Sequence, residues 1–275
     1  MKNRMTALVL AVILLLAACA QKNPPPETTA EPVVTTEAET TAETAEPETT
    51  AETTAAPTEE PAEPMLPPRP AKQEPTGVES GEPVEEFWTG AICWQADDYE
   101  QAVQVSLPRL KPVSPDAVEI QEEIWDVVYP LLEETLNARE EGYSSMLESV
   151  GYETNIRDGV VSLLVWEEDP YDMTQYQVYN LDLETGKRLD TAEISGRLGY
   201  ADWEAEMTRL VQQDYEKHWE GQPQDDFYKE QLKKQLSPEN IGLIQIYLGE
   251  QTEIVYNRYS LAGADYYPVR LVPPG

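Results

Sequence analysis

From Ala20 to about Glu86 the chain holds almost no residue from which a hydrophobic core is built. It is a run of Thr, Glu, Ala and Pro in which "ETTAE" recurs at Glu27, Glu39 and Glu48. Such a segment cannot offset its own ordering entropy and is expected to stay disordered. Folding is thereby confined to the residues from Phe87 onward, where Trp, Tyr and periodic apolar residues begin and continue to the end of the 275-residue chain. That remainder is long enough for one domain with a real core. Prolines and like charges hold the acidic segment open, with a reach between roughly 45 Å as a flexible coil and roughly 200 Å as full polyproline helix. It reads as a spacer, a stalk for the domain beyond it, whose threonines are also potential O-glycan acceptors.

The opening "MKNRMTALVLAVILLLAACAQ" has the organisation of an export signal. Lys2 and Arg4 make a basic start, and an apolar run extends from Ala7 to Leu16. That run is too short to span a hydrocarbon core of ~30 Å as a helix, and fits the apolar region of a secretory signal. "LAAC", Leu16 to Cys19, resembles the lipobox of bacterial lipoproteins. The resemblance implies cleavage after residue 18, diacylglycerol on the Cys19 sulfur and acylation of the new amino terminus. Several acyl chains hold a protein on a membrane where one does not. The expected organisation is a signal peptide over 1–18, a lipidated Cys19 with a disordered linker to 86, and a folded domain over 87–275. The expected location is the extracytoplasmic face of the cell membrane.

The formal net charge is −33, and residues 87–275 alone carry 14 basic residues against 36 acidic ones. This argues against nucleic acid as a partner and favours attraction of cationic proteins or metal cations.

Within the folded part, Val103, Val105 and Leu107 alternate as a strand ended by Pro108. Ser114 and Pro115 open a long helix as N-cap and first helical residue, with Pro130 expected to kink it. "YETNIRDGVVSLLVWEE" reads as two strands about an Asp158–Gly159 turn, and Gln175 to Leu183 as a further strand. "ADWEAEMTRLVQQDYEKHWE" and "DDFYKEQLKKQL" are helices, the second capped by Asp225. "IGLIQIYL", "EIVYNRYS" and "DYYPVRLV" close the chain as strands. Grouped rather than alternating elements predict an α+β fold: an antiparallel sheet with helices packed on one face, preceded by the disordered linker.

"NLDLETGKRLD" raises the question of a calcium loop, because Asn180, Asp182 and Glu184 bear oxygens at alternate positions. A helix-loop-helix calcium site needs its glycine sixth and a distal bidentate Glu. Gly186 is seventh, and no helices flank it correctly. The expectation is a hairpin with glycine in a left-handed position.

The succession "VSLPRL", helix, "GVVSLLVWEE", "YNLDLETGKRL", helical region, "IGLIQIYL" and "LAGADYYPVRL" resembles a family of Gram-positive extracytoplasmic domains of largely unknown function. Members include the lysozyme-sensing outer part of RsiV-type anti-sigma factors and a module preceding the catalytic domain of certain peptidoglycan deacetylases. The resemblance spans about Tyr99 to Val272 and implies an α+β fold in a cell-envelope setting. Many relatives carry Gly-Gly-Ala-His after the "SL" strand; here that region is "EEDPYDMTQY", which puts inheritance of their ligand in doubt. With no anti-sigma segment before the signal and no deacetylase domain after it, neither activity is expected.

Candidate catalysts are few. His218 reads as a solvated or partly packed histidine and Cys93 as a buried, inert thiol. No Cys and His cluster suits zinc, and neither metal nor cofactor is expected. Glu167, Glu168, Asp169 and Asp172 lie near Trp166, Tyr171, Tyr176 and Tyr179. These eight residues are the candidate ligand-binding set, for a sugar or a protein. The function expected is a non-catalytic binding or sensor domain, with a cationic lysozyme-like protein as the concrete partner. Alternatives are a cell-wall polymer module or a carboxylate-dependent glycan hydrolase using Glu167 and Glu168.

Overall fold

The computed structural model describes residues 66–77, 82–96, 99–171, 173–261 and 266–274. Cys19, the tether through residue 65 and Asp172 lie outside them. Strands β1 (Val84–Ala96), β2 (Tyr99–Leu110), β3 (Ser149–Arg157), β4 (Val160–Glu168), β5 (Thr174–Asp182) and β6 (Arg188–Leu189) form, among the described residues, a six-stranded sheet in sequence order. All pairings are antiparallel except β2 with β3, which helix α1 (Pro115–Glu141) connects by a crossover. A second sheet joins β7 (Gln245–Leu248), β8 (Thr252–Tyr259) and β9 (Tyr266–Leu271). Helices α2 (Thr191–Arg197), α3 (Trp203–His218), α4 (Asp226–Gln235) and α5 (Pro238–Gly242) lie between the two in sequence. The α+β class and the mainly antiparallel sheet are as the sequence predicts.

Alternation along β4 divides its side chains between two cores. Val161, Leu163 and Val165 join Ile120, Ile124, Trp125 and Val128 of α1. On the opposite face Val160 packs with Met207, Val211 and Ile254, and Leu164 with Tyr247 and Val255. Because β4 is buried on both faces it reads as a continuous apolar run. Truncating the fully buried Leu163 to Ala is expected to cost about 2–5 kcal/mol.

β7 is an edge strand, and polar side chains of the first sheet satisfy its backbone. Leu248 N donates to Ser162 Oγ (3.0 Å), and Asn180 Nδ2 donates to the Ile246 carbonyl (2.9 Å). Asn155 Nδ2 reaches the carbonyls of Leu248 (2.7 Å) and Gly249 (3.0 Å). An uncapped edge buried here would carry unpaired amides at a cost of about 1–3 kcal/mol each, which explains why Ser162 and Asn180 are buried polar residues.

Two boundaries differ from the sequence reading. The folded body begins before Phe87: Tyr129 Oη donates to the Pro67 carbonyl, and Arg69 forks to Glu122 (2.9 Å) and Asp126 (2.7 Å) on α1. β2 continues through Pro108 to Leu110, because the register shift between Glu86 and Trp88 places Pro108 at a bulge, where a missing N–H is tolerated. Cys93 is half-buried rather than buried, in β1 between the buried Ile92 and Trp94. The Asp158–Gly159 turn forms as expected, with φ of 52° and 75°.

Candidate functional site

The acidic stretch Asn180–Asp190 resolves first, because its carboxylate is fully occupied by the fold. Asp182 Oδ1 accepts from Glu184 N (3.1 Å), Thr185 N (2.9 Å) and Thr185 Oγ1 (2.9 Å). Its other oxygen pairs with Arg197. The Arg197 guanidinium and the turn amides hold this carboxyl at about 2. Gly186 follows at φ +68°, and a Cβ there would meet Ser114 Cβ at 2.6 Å. Ser114 caps α1 through Ala117 N and donates to the Gly186 carbonyl (2.5 Å). The stretch is a hairpin locked onto the N-terminus of α1, not a cation loop. Among the described residues no group of three or more His, Cys, Asp or Glu side chains is placed to hold a metal.

The seven described residues of the candidate ligand set do not share one face of the sheet. Strand pairing aligns Trp166 with Tyr176 on the face that meets the second sheet, and Leu163 with Tyr179 on the α1 face. Glu167 and Glu168 are consecutive in β4 and project to opposite faces. They cannot flank one glycosidic bond, so the carboxylate pair sketched for a hydrolase does not assemble.

Each member then has its own role. The Trp166 ring covers Gly151 on β3, where an added Cβ would meet it at 2.3 Å. Glu168 accepts from Ser149 Oγ (3.0 Å). Tyr179 is 4% exposed and donates to Gln177 Oε1 (2.5 Å). Burial, with the Glu123 charge adding, pushes its phenol up to about 12. Glu167 sits half-buried in a crevice of about 20 Å³ lined by Ile124, Val128 and Tyr179, with one carboxylate oxygen unpartnered. Burial raises its carboxyl above the ordinary range. His218 stands edge-on to Trp219 at 4.6 Å, and burial lowers its imidazole.

Asp169 and Tyr171 belong to the loop at one end of the six-stranded sheet. Asp169 Oδ1 accepts from Tyr171 N (2.8 Å) and Met173 N (3.0 Å), an Asx turn that fixes the loop and projects Tyr171 outward. Asp172 lies outside the described residues.

Three apolar side chains that sequence reading left out share this end. Tyr99 opens β2, and Tyr143 and Met146 lie in the α1–β3 connection. Tyr99 Oη donates to Ser144 Oγ (2.6 Å), Trp94 Nε1 to the Tyr143 carbonyl (2.8 Å), and Glu148 N to the Glu168 carbonyl (2.8 Å). These bonds tie the connection across β1–β2 to the end of β4. Tyr99, Tyr143, Met146 and Tyr171 are 50–73% exposed, and exposed Glu100, Glu141 and Glu148 stand beside them in sequence. Exposed Tyr and Met among carboxylates has the composition of a protein-contacting surface. The signal in sequence was an aromatic or Met in each of three turn segments; only the fold shows that those segments meet at one end.

No family model and no curated protein matches the chain. Among solved structures it is similar to a DUF3298-family member from Bacteroides fragilis, with 9% identity over 70% of this chain and 89% of that one at a TM-score of 0.35. It is also similar to a DUF3298-family protein from Pseudomonas aeruginosa, with 14% identity over 71% of this chain and 93% of that one at a TM-score of 0.32.

Proposed function

We propose that the protein is a surface lipoprotein, anchored through Cys19, whose domain is a non-catalytic binding or sensor module for a cationic extracellular protein of the lysozyme class. The observation that carries the binding part is the sheet end bearing Tyr99, Tyr143, Met146 and Tyr171, each half or more exposed, among carboxylates. Aromatic anchors supply contact area at low entropy cost. The net charge of −33 speeds encounter with a cation and repels polyanions. The separation of Glu167 from Glu168 across the sheet supports a binding role over a hydrolase. The sequence resemblance to lysozyme-sensing domains supplies the partner class, and the export signal and acidic tether support presentation outside the cell.

The test is a titration of the full mature chain with lysozyme at low and moderate salt. Binding is expected at both and weaker at the higher salt. Tyr143→Ala and Tyr171→Ala, both at exposed positions, are each expected to weaken it by roughly 1–2 kcal/mol without loss of fold. No binding at either salt, or equal binding by both variants, overturns the reading. Co-sedimentation with peptidoglycan in place of lysozyme binding also overturns it.

A further inference from the structure

The second sheet and the edge of β5 enclose a groove of about 420 Å³, within the roughly 300–1,000 Å³ range of small-molecule sites. Its floor is one face of the second sheet: Val255, Asn257 and Tyr259 alternate along β8, with Pro268 paired to Asn257 and Tyr266 to Tyr259. Tyr176 comes from β5, Leu243 from the turn into β7, and Gln245 from the first position of β7. In a chain with 52 acidic residues, none of the lining residues carries an ionisable acid or base other than a phenol. Among the described residues two cations stand on its rings: Lys234 over Tyr259 at 4.1 Å, and Arg270, itself paired with Glu153 and Glu253, over Tyr176 at 5.8 Å.

Part of the polar lining is held in place with hydrogen-bonding capacity left over. Gln245 Oε1 accepts from Val178 N (2.7 Å), which fixes the amide and leaves its NH2 to donate. The Asn257 amide and the Tyr176 and Tyr266 hydroxyls take no recorded hydrogen bond among the described residues. The β5 edge adds backbone groups. β6 pairs only with Asn180 and Leu181, and Val178 N–H points off that edge. Strand geometry repeats every second residue, so the Tyr176 N–H and carbonyl point the same way and are unpaired by β6.

We propose that this groove binds a neutral oligosaccharide. Amides and phenols both donate and accept, which matches vicinal hydroxyls. Tyrosine rings offer flat apolar faces to the C–H surfaces of a sugar. A cation would be desolvated here with no carboxylate in the lining, and an anion with only Lys234, already stacked on Tyr259, to offset it. The groove is distinct from the Tyr143–Tyr171 sheet end and stands whether or not that end binds a protein.

The experiment titrates the full mature chain, by calorimetry and ligand-observed NMR, with an N-acetylglucosamine oligomer, a glucose oligomer and a galacturonate oligomer. At least one neutral oligomer is expected to bind at millimolar concentration, and the galacturonate oligomer not to bind. Binding of the first alone assigns acetamido sugars; binding of both neutral oligomers assigns neutral sugars as a class. Tyr266→Ala and Asn257→Ala are each expected to weaken binding about tenfold with unchanged thermal unfolding, while Tyr171→Ala leaves it unchanged. If Tyr266→Ala fails to fold, saturation transfer between ligand protons and tyrosine rings of the native chain replaces it. No binding of either neutral oligomer, equal binding of galacturonate, or native affinity in folded groove variants overturns the proposal. Binding of an extended peptide along β5 without any saccharide also overturns it.

Discussion

Replacing Asp182 by Asn isolates what the acidic hairpin does. The amide keeps an oxygen for Glu184 N and the Thr185 N–H and hydroxyl. What disappears is the negative charge facing Arg197. In the native protein that charge, with the turn amides, lowers the carboxyl from 3.8 to about 2. The Asp182 side chain is 11% exposed and the Arg197 side chain 41%. The linkage is therefore taken at the conservative end, roughly 2 kcal/mol at neutral pH. Because the folded value lies below the unfolded one, this stability is fully present above about pH 4 and lost as pH falls through about 2. Urea unfolding of Asp182→Asn and the native protein should thus differ by about 2 kcal/mol at pH 7 and converge near pH 2. For a domain of this size that is a Tm lower by roughly 4–8 °C. Added calcium should leave both proteins unchanged, because Asp182 has no oxygen free for it. A pH-independent gap would mean a steric effect, and calcium stabilisation of the native protein alone would reinstate the cation loop; either result refutes the reasoning.

Other substitutions probe the remaining packing and charges. Asp214 accepts from Tyr256 and Arg258, and the Arg258 side chain is only 11% exposed. Asp214→Asn should cost about 3–5 kcal/mol in denaturant unfolding by leaving a buried cation unpaired. Gly151→Ala should displace the Trp166 ring, lowering stability by about 1–3 kcal/mol and altering the near-ultraviolet circular dichroism. Burial raises the Glu167 carboxyl, so its charge opposes folding. Glu167→Gln should stabilise the protein at neutral pH, with the advantage fading as pH falls through the raised value and absent below the unfolded value of about 4.3.

Much of the fold was legible because local chemistry and tertiary packing agree. Ser114 with Pro115 marked the start of α1, Asp158–Gly159 the β3–β4 turn and Asp225 the start of α4, each through a local backbone requirement that its residues meet. β1 was missed because Val84, Glu85 and Glu86 look like tether, and only pairing with Leu110 and its neighbours makes them strand. α5 was absorbed into a strand because "IGL" is apolar enough for either, and the Ser237 cap and Pro238 decide it. The last three strands were legible, but not that they form a separate sheet, because Ser162 and Asn180 read as solvent-facing polar residues until β7 is laid across them. The candidate ligand set failed for a related reason. Proximity in sequence brought Glu167 to Glu168 and Trp166 to Tyr179, while the pleat sends them to opposite faces. The segments that do meet, around Tyr99, Tyr143 and Tyr171, are far apart in the chain and joined only by strand order.

The proposed anchor rests on Cys19, whose sulfur cannot carry a diacylglycerol thioether and a disulfide at once. Mass spectrometry of the amino-terminal fragment, released from the native membrane-extracted protein without reduction, reads that sulfur. The account predicts a fragment beginning at Cys19 with the added mass of a diacylglycerol and an acylated amine. A fragment that begins at Met1, or one linked through sulfur to the peptide containing Cys93, would contradict it.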